Sequence, residues 1–155
     1  MADIPATSMP ASSDYGVSAA CGASPSHWGS PMAGDRRQVA YVAGPYRGMN
    51  AFDVSRNIES ARLVAAALWR QGFYVLCPHM NTAHFDGIVD DRTFLDGTLE
   101  LMRRCDLVVL ARGWAQSEGS REEIREALAI GKPIYEWPVM SVPLTEAYFN
   151  KAIGR

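Results

Sequence analysis

Short apolar runs alternate with longer amphipathic stretches from about residue 36 to the end of the chain. Each apolar run is followed by glycine, proline or a polar loop, which is typical of a buried strand rather than of a helix. The run at 106–111 is apolar enough to be covered on both faces. The pattern predicts strands at residues 38–43, 73–77, 106–111 and 132–136.

The stretches between these runs carry apolar or small residues at helical spacing. From Val54 to Leu68 such residues recur in steps of four and three, which places them in one stripe along a helix. Gly72 is a natural end for that helix. The same reasoning predicts helices at residues 53–71, 92–104, 119–130 and, with Pro143 in its first turn, 143–153.

This alternation of strands and helices predicts an α/β domain. Strand–helix–strand units with right-handed crossovers build an open, doubly wound parallel sheet, here of four to five strands and flavodoxin- or Rossmann-like. In such sheets, ligands bind outside the carboxyl ends of the strands, near the point where strand order reverses. That rule selects the loops at residues 44–50, 78–90 and 112–122 as candidates for a site.

The first 35 residues differ from the rest in composition. Residues 1–34 hold seven Ala, seven Ser, four Gly and four Pro, with no Lys or Arg. Such a segment has little apolar surface to offset the entropy lost on ordering. We therefore expect residues 1–35 to be a disordered tail and residues 36–155 to be the folded domain.

Net charge, apolar run length and cysteine content limit the partners and the cellular compartment that we expect for the protein. A net charge of −2 argues against a nucleic-acid polymer as partner, because such proteins usually carry a basic stripe. No apolar run approaches the ~18 residues of a membrane helix, so we expect no membrane contact. Cys21, Cys77 and Cys105 are too few for a disulfide framework, which favours a reducing cytoplasm.

The loop after the first predicted strand is a candidate anion site. It reads Gly44, Pro45, Tyr46, Arg47 and Gly48. Backbone N–H groups in such a turn, together with a guanidinium, suit a phosphate. The alternative is a plain strand-to-helix turn with a surface arginine, because no known phosphate-loop motif is complete here.

The third loop runs into a helix that carries Glu118, Glu122, Glu123 and Glu126. At about 100° per residue, Glu123 lies beside the apolar stripe of that helix, whereas Glu122 and Glu126 lie opposite. We expect Glu123 to face the sheet end and to lie in the first helical turn, where the helix dipole and free N–H groups favour its ionised form. Such a carboxylate is a competent nucleophile at an anomeric carbon. The alternative is that Glu123 only stabilises the helix N-terminus.

The second loop is polar and long, which is more often found in functional loops than in plain turns. It contains His79, Asn81, His84 and Asp86. The pair Cys77 and His79 has no Cys-x-x-Cys partner, so we expect no metal site. The alternative is a solvated turn without function.

Four segments resemble the nucleoside 2-deoxyribosyltransferase-like superfamily, and within it a DUF4406-type branch. They read YVAGPYRG, CPHMNTAHFDG, CDLVVLARGW and SEGSREEIREALAIGKPI, in this order between residues 39 and 134. In that superfamily a Ser-x-Gly-x-x-x-Glu stretch supplies the catalytic glutamate at a helix N-terminus. The stretch corresponds here to Ser117, Gly119 and Glu123.

The resemblance implies further roles. Tyr41 matches a first-strand tyrosine near the nucleophile, and Gly44, Arg47 and Gly48 match a turn that binds a 5′-phosphate together with Ser117. One position departs from the pattern, because Thr98 stands where relatives place an aspartate that assists the leaving base. Asp96, two residues earlier, is the candidate substitute.

The resemblance implies an N-glycosidase that cleaves the base–sugar bond of a nucleoside 5′-monophosphate without any cofactor. Glu123 would be the nucleophile, with Asn81, His84, Asp86 and Trp114 lining the base or sugar side. The alternatives are a deoxyribosyltransferase, a non-catalytic nucleotide-binding module, and an assembly protein that works through its tail. Relatives form homodimers or larger homo-oligomers, for which Met102 and Trp114 are candidate contacts, although a core role suits them equally.

Overall fold

The computed structural model describes residues 36–154. The predicted disordered tail, residues 1–35, therefore lies outside the described residues. Within residues 36–154 the chain forms a parallel sheet with helices on both sides, as the hydrophobic pattern predicts.

Four parallel strands form the sheet in the order β2-β1-β3-β4. Strands β1 and β3 are central and are buried almost throughout, which explains why their sequences are apolar at every position. The order reverses between them, so the chain winds outward in both directions from this point. The strands are β1 (Val39–Ala43), β2 (Tyr74–Leu76), β3 (Leu107–Leu110) and β4 (Ile134–Glu136).

Four helices begin directly after a residue whose side chain caps a free backbone N–H group of the first turn. Asn50, Asp90, Ser117 and Thr145 each accept a hydrogen bond from the backbone N–H three residues on. The helices are α1 (Ala51–Arg70), α2 (Pro78–Asn81), α3 (Asp91–Arg103), α4 (Glu118–Ala129) and α5 (Glu146–Ala152).

Three local predictions were wrong. The segment 78–90 is not wholly a loop, because α2 opens it with Pro78 in the first turn, where a missing N–H costs nothing. The segment 112–118 contains a 3₁₀ turn, Trp114–Gln116. The last helix begins at Glu146 rather than at 143, since the Thr145 side chain accepts from Tyr148 N and so caps it.

The core lies on both faces of β1 and β3. On one face, Tyr41 and Val108 belong to a buried cluster with Met102 of α3 and Ile124 of α4. Alternate strand residues point to the other face, where α1 contacts β1 and β2. Packing from both sides holds the strand ends, and thus the loops that follow them, in fixed positions.

Met102 and Trp114 are core residues rather than surface contacts. Met102 is fully buried, and Trp114 stacks on Phe149 with ring centroids 6.1 Å apart. The Trp114 indole N–H donates to Glu136 Oε1 at 3.2 Å. Of the two roles that the sequence left open for them, the structure shows the core role, and neither side chain is free to contact a second subunit.

Candidate active site

A cleft of about 660 Å³ opens outside the carboxyl ends of β1, β2 and β3. Its walls come from the turn after β1, from α2 and the loop that follows it, from one side of α3, and from the beginning of α4. The three loops that the topology rule selects are among them, and they meet because the strand order reverses between β1 and β3. The contribution of α3 was not predicted.

A buried glutamate lies in one wall of the cleft and is hydrogen-bonded to a tyrosine in the core. Tyr41 on β1 is fully buried, and Glu123 on α4 is only 8% exposed. The Tyr41 hydroxyl donates a hydrogen bond of 2.5 Å to Glu123 Oε1, between residues 82 positions apart in the chain. Glu122 and Glu126 are half-buried and bind arginines instead. The helical wheel therefore identified the correct carboxylate of α4 as the inward one.

The charge state expected for Glu123 needs correction. Helix α4 begins at Glu118, so Glu123 is not in the first turn and lies beyond the free N–H groups that would favour its ionised form. Burial raises the pKa of Glu123 to about 7. The Tyr41 hydrogen bond opposes that shift, the charge of Glu122 adds to it, and a hydrogen bond from Thr98 lowers it.

Tyr41 stays protonated beside this carboxyl group. Burial raises the pKa of Tyr41 well above its usual value, and the charge and hydrogen bond of Glu123 raise it further. The tyrosine therefore acts as a permanent hydrogen-bond donor to Oε1. The hydrogen bond from Tyr41 goes to Oε1 and not to the second oxygen, Oε2.

Thr98, rather than Asp96, lies at the cleft. Thr98 lines the cleft on α3, and its hydroxyl donates to Leu95 O at 3.0 Å. Asp96 lies on the outer side of α3, where Arg92 binds it at 2.5 Å. A helix turns by about 200° over two residues, so the two side chains point to opposite sides. The structure does not bring Asp96 to the other predicted site residues.

The turn after β1 reaches the cleft because two glycines allow close approaches. A Cβ atom at Gly44 would lie 2.8 Å from Ala111 Cβ, which is too close. A Cβ atom at Gly48 would collide with Asp53. Gly44, Pro45, Tyr46 and Arg47 line the cleft, whereas Gly48 only shapes the turn.

Arg47 is held by two carboxylates at the cleft rim. Its guanidinium binds Asp86 through Nη1 and Asp91 through Nε and Nη2. The side chain is about half exposed, so these pairs cost little to open. Tyr46 joins the same rim, because its hydroxyl accepts from His84 N at 3.1 Å. The sequence pattern contains no signal for this pairing.

Ser117 and Gly119 lie at the beginning of α4 and line the cleft. The Ser117 hydroxyl oxygen accepts from Ser120 N at 3.2 Å and so caps the helix. Its own proton remains available to donate. Gly119 leaves open space beside the first turn, since a Cβ there would meet nothing within 4 Å. The first turn of α4 therefore has free backbone N–H groups at the cleft, and such groups are suited to bind an anion.

Three predicted contact residues do not line the cleft. Asn81 and His84 are exposed, and His84 takes part only through its backbone N–H. Trp114 is in the core. Of the three second-loop residues assigned to the base or sugar side, Asn81, His84 and Asp86, Asp86 alone lines the cleft.

His79 is the main residue of the cleft that sequence reasoning left out of the site. It is buried, and its Nε2 lies 3.1 Å from both Gly44 O and Pro45 O. Because both partners are acceptors, Nε2 carries the proton. Burial lowers the pKa of His79, so the ring is neutral and holds the turn after β1 in place. The signal in the sequence was the position of His79 directly after Pro78, at the beginning of the loop that follows the second predicted strand.

Within residues 36–154, no three His, Cys, Asp or Glu side chains are grouped as metal ligands would be. Cys77 is buried, and burial raises the pKa of its thiol to about 11. None of the helices described there is both long and apolar enough to cross a bilayer.

Comparisons with known proteins give one family match. A model of the family described as a domain of unknown function, DUF7768, matches residues 38–137, which span β1 to β4. No curated protein matches the chain significantly. A solved structure, the 2-deoxyribosyltransferase from the psychrotolerant bacterium Bacillus psychrosaccharolyticus, is similar at 15% identity and a TM-score of 0.47. The similarity covers 76% of this chain and 91% of that one.

Proposed function

The chain belongs to the DUF7768 family, a domain of unknown function, and we propose that it cleaves the N-glycosidic bond of a nucleoside 5′-monophosphate. One observation supports this most: a buried carboxyl group, Glu123, lies in the wall of a 660 Å³ cleft with a tyrosine donor 2.5 Å from one of its oxygens. A carboxylate held in this way is suited to attack at an anomeric carbon.

Glu123 performs the bond-breaking step in this proposal. Its Oε2 attacks C1′, the C1′–N bond breaks, and the electron pair leaves with the base. The resulting glycosyl ester is then attacked by water at C1′, which releases the sugar and restores the carboxylate. Tyr41 holds Oε1 throughout, so the carboxyl plane keeps one orientation in both steps.

The sugar phosphate binds at the turn after β1 and at the beginning of α4. Arg47, the Ser117 hydroxyl and the free N–H groups of α4 line the same cleft. A phosphate that binds there replaces Asp86 and Asp91 as the partner of Arg47 and forms charge-assisted hydrogen bonds with its guanidinium. Because the bonds of Arg47 to Asp86 and Asp91 are solvent-exposed, the exchange costs about 1 kcal/mol or less for each.

The test is base release from a panel of nucleosides and their 5′-monophosphates, followed by liquid chromatography and mass spectrometry. We expect Glu123→Gln to lower the rate by about a thousandfold or more, as the loss of a nucleophile does. Glu126→Gln is the matched control, because Glu126 lies on the same helix outside this cleft. Full activity in Glu123→Gln would refute the assignment.

A second candidate is a nucleotide-binding module without catalysis. The observation that favours it is Thr98 at the cleft, where the superfamily pattern has a carboxylate. A nucleotide that raises the melting temperature of the protein and is recovered intact would select this function. Base exchange between a nucleoside and an added free base would instead select transfer over hydrolysis.

A further inference from the structure

The cleft is lined by an excess of negative charge. Five carboxylates lie in its wall against two guanidiniums, those of Arg47 and Arg92. Each arginine is already bound by two carboxylates: Arg47 by Asp86 and Asp91, and Arg92 by Glu122 and Asp96. The carboxylates of the wall are Asp86, Asp91, Glu118, Glu122 and Glu123.

None of the described carboxyl groups of this wall is placed to protonate a departing base. Asp86, Asp91 and Glu122 are each bound to an arginine. Glu118 is exposed, and Glu123 is the nucleophile. Thr98 occupies the position of the expected acid, and a threonine hydroxyl does not supply a proton at neutral pH.

Two buried polar atoms in the wall have no hydrogen-bond partner within residues 36–154. They are Nδ1 of His79 and the hydroxyl oxygen of Ser120, whose residues are 5% and 1% exposed. Both residues line the cleft. An unsatisfied buried polar atom is costly, so its presence at a cleft points to a polar ligand that supplies the missing hydrogen bond.

We propose that the substrate of this cleft is a cationic N-glycoside, in which the base carries a positive charge, as in a pyridinium or N7-alkylated purine nucleoside. This inference rests on the proposed function and names its substrate class. The acidic wall attracts a cation and disfavours further anionic groups at the base. A neutral purine or pyrimidine needs a proton to leave, whereas a cationic base does not.

The reaction balances without an acid. As Glu123 Oε2 forms its bond to C1′, the electron pair of the C1′–N bond moves to the ring nitrogen and cancels its positive charge. The base leaves neutral. Water then bonds to C1′, the ester bond breaks to restore the Glu123 carboxylate, and one proton passes to solvent.

The bound cation also activates the nucleophile. Burial raises the pKa of Glu123 to about 7, so without substrate a large fraction of the carboxyl groups is protonated. A positive charge within about 4–6 Å of a carboxyl group favours its ionised form. Binding of the cationic base therefore produces the attacking carboxylate where it is needed.

Base release by the full-length protein from matched nucleosides tests this inference. The pair is N7-methylguanosine and guanosine, which differ in the positive charge of the base, with nicotinamide riboside and nicotinamide mononucleotide as further cations without and with a 5′-phosphate. Each rate is divided by the spontaneous rate without protein. We expect the ratio for N7-methylguanosine to exceed that for guanosine by about tenfold or more, and to fall as salt is added.

A gain-of-function variant makes the test sharper. Thr98→Asp places a carboxyl group at the missing position, and we expect it to raise guanosine cleavage by about tenfold or more, within the usual range of acid catalysis. Thr98→Asn is the matched control without an acid. Thermal melting of each variant shows whether it has folded.

The outcomes separate this inference from the function on which it rests. If guanosine is cleaved at a normalised rate equal to or greater than that of N7-methylguanosine, and this cleavage is lost in Glu123→Gln, the cationic substrate is overturned and the proposed function stands. No cleavage of any of these four compounds would overturn the cationic substrate, and it would overturn the proposed function as well when none of the nucleoside 5′-monophosphates of the first panel is cleaved. If the protein cleaves the cationic nucleosides in preference to guanosine, and this cleavage is lost in Glu123→Gln, both the cationic substrate and the proposed function are supported.

Discussion

The carboxyl group of Glu123 is the clearest case in which the environment of one residue decides its chemistry. Desolvation favours the protonated form, and the Tyr41 hydroxyl favours the ionised form through a 2.5 Å hydrogen bond. Desolvation is the larger effect, so the pKa rises from 4.5 to about 7. The pKa of the proposed nucleophile thus lies near neutral pH, and the carboxyl group is only partly ionised there.

Removal of the Tyr41 hydroxyl should shift the pH profile of base release. The proposed reaction needs ionised Glu123, so we expect activity to rise with pH through about 7 in the natural protein. In Tyr41→Phe the ionised form loses a hydrogen bond, and we expect the midpoint to move up by about one pH unit. Rates measured from pH 5 to 9 check this. An unchanged midpoint, with the variant still folded, would show that Tyr41 does not act on Glu123.

Elements α3 and α4 are held together by their buried faces rather than by their ion pairs. Arg92 and Arg103 of α3 bind Glu122 and Glu126 of α4, but these side chains are exposed or half-exposed. Such pairs are worth about 0–1 kcal/mol each, whereas a buried side chain such as Met102 contributes several. Thr98 is therefore placed at the cleft by core packing, and surface charge changes should leave it there.

Close contact between the ends of β1 and β3 requires glycine. A Cβ at Gly44 would lie 2.8 Å from Ala111 Cβ, so we expect Gly44→Ala to lower the free energy of unfolding by about 1–3 kcal/mol. Gly97→Ala is the control, because nothing lies within 4 Å and alanine favours the middle of a helix by about 1 kcal/mol. Urea denaturation measures both variants. Equal effects would contradict the packing argument.

The whole molecule places its candidate site at the reversal of strand order. Loops that follow β1 and β3 diverge from neighbouring strands and leave a cleft between them. Tyr41 of β1 and the neighbours of Glu123 on α4, Ile124 and Ala127, belong to the same core cluster. The cleft is thus a property of the domain and not of one loop.

The folded domain should work without its first 35 residues. All residues that line the cleft lie between Gly44 and Glu123. We therefore expect a chain that begins at Arg36 to keep its melting temperature within a few degrees and to keep its activity. Calorimetry and base release check both properties against the full chain. Loss of either would show that residues 1–35 belong to the domain, contrary to their composition.

The order of elements followed from the sequence because helix and strand periodicities are local. The steps of three and four residues in α1 and the apolar runs of β1 and β3 are contained within short windows. The short helix α2 and the 3₁₀ turn at Trp114 were missed because one turn of helix is too brief to show a period. Capping hydrogen bonds and packing decide such turns.

Spacing along the chain was enough to predict the α/β architecture, three of the segments that form the cleft, and the inward position of Glu123. The raised pKa of Glu123, the presence of Thr98 rather than Asp96 at the cleft, and the ion pairs of Arg47 with Asp86 and Asp91 depend on tertiary packing. The hydrogen bond of Tyr41 to Glu123 and the ion pair of Arg47 with Asp86 join residues 82 and 39 positions apart, so they form only once the chain has folded.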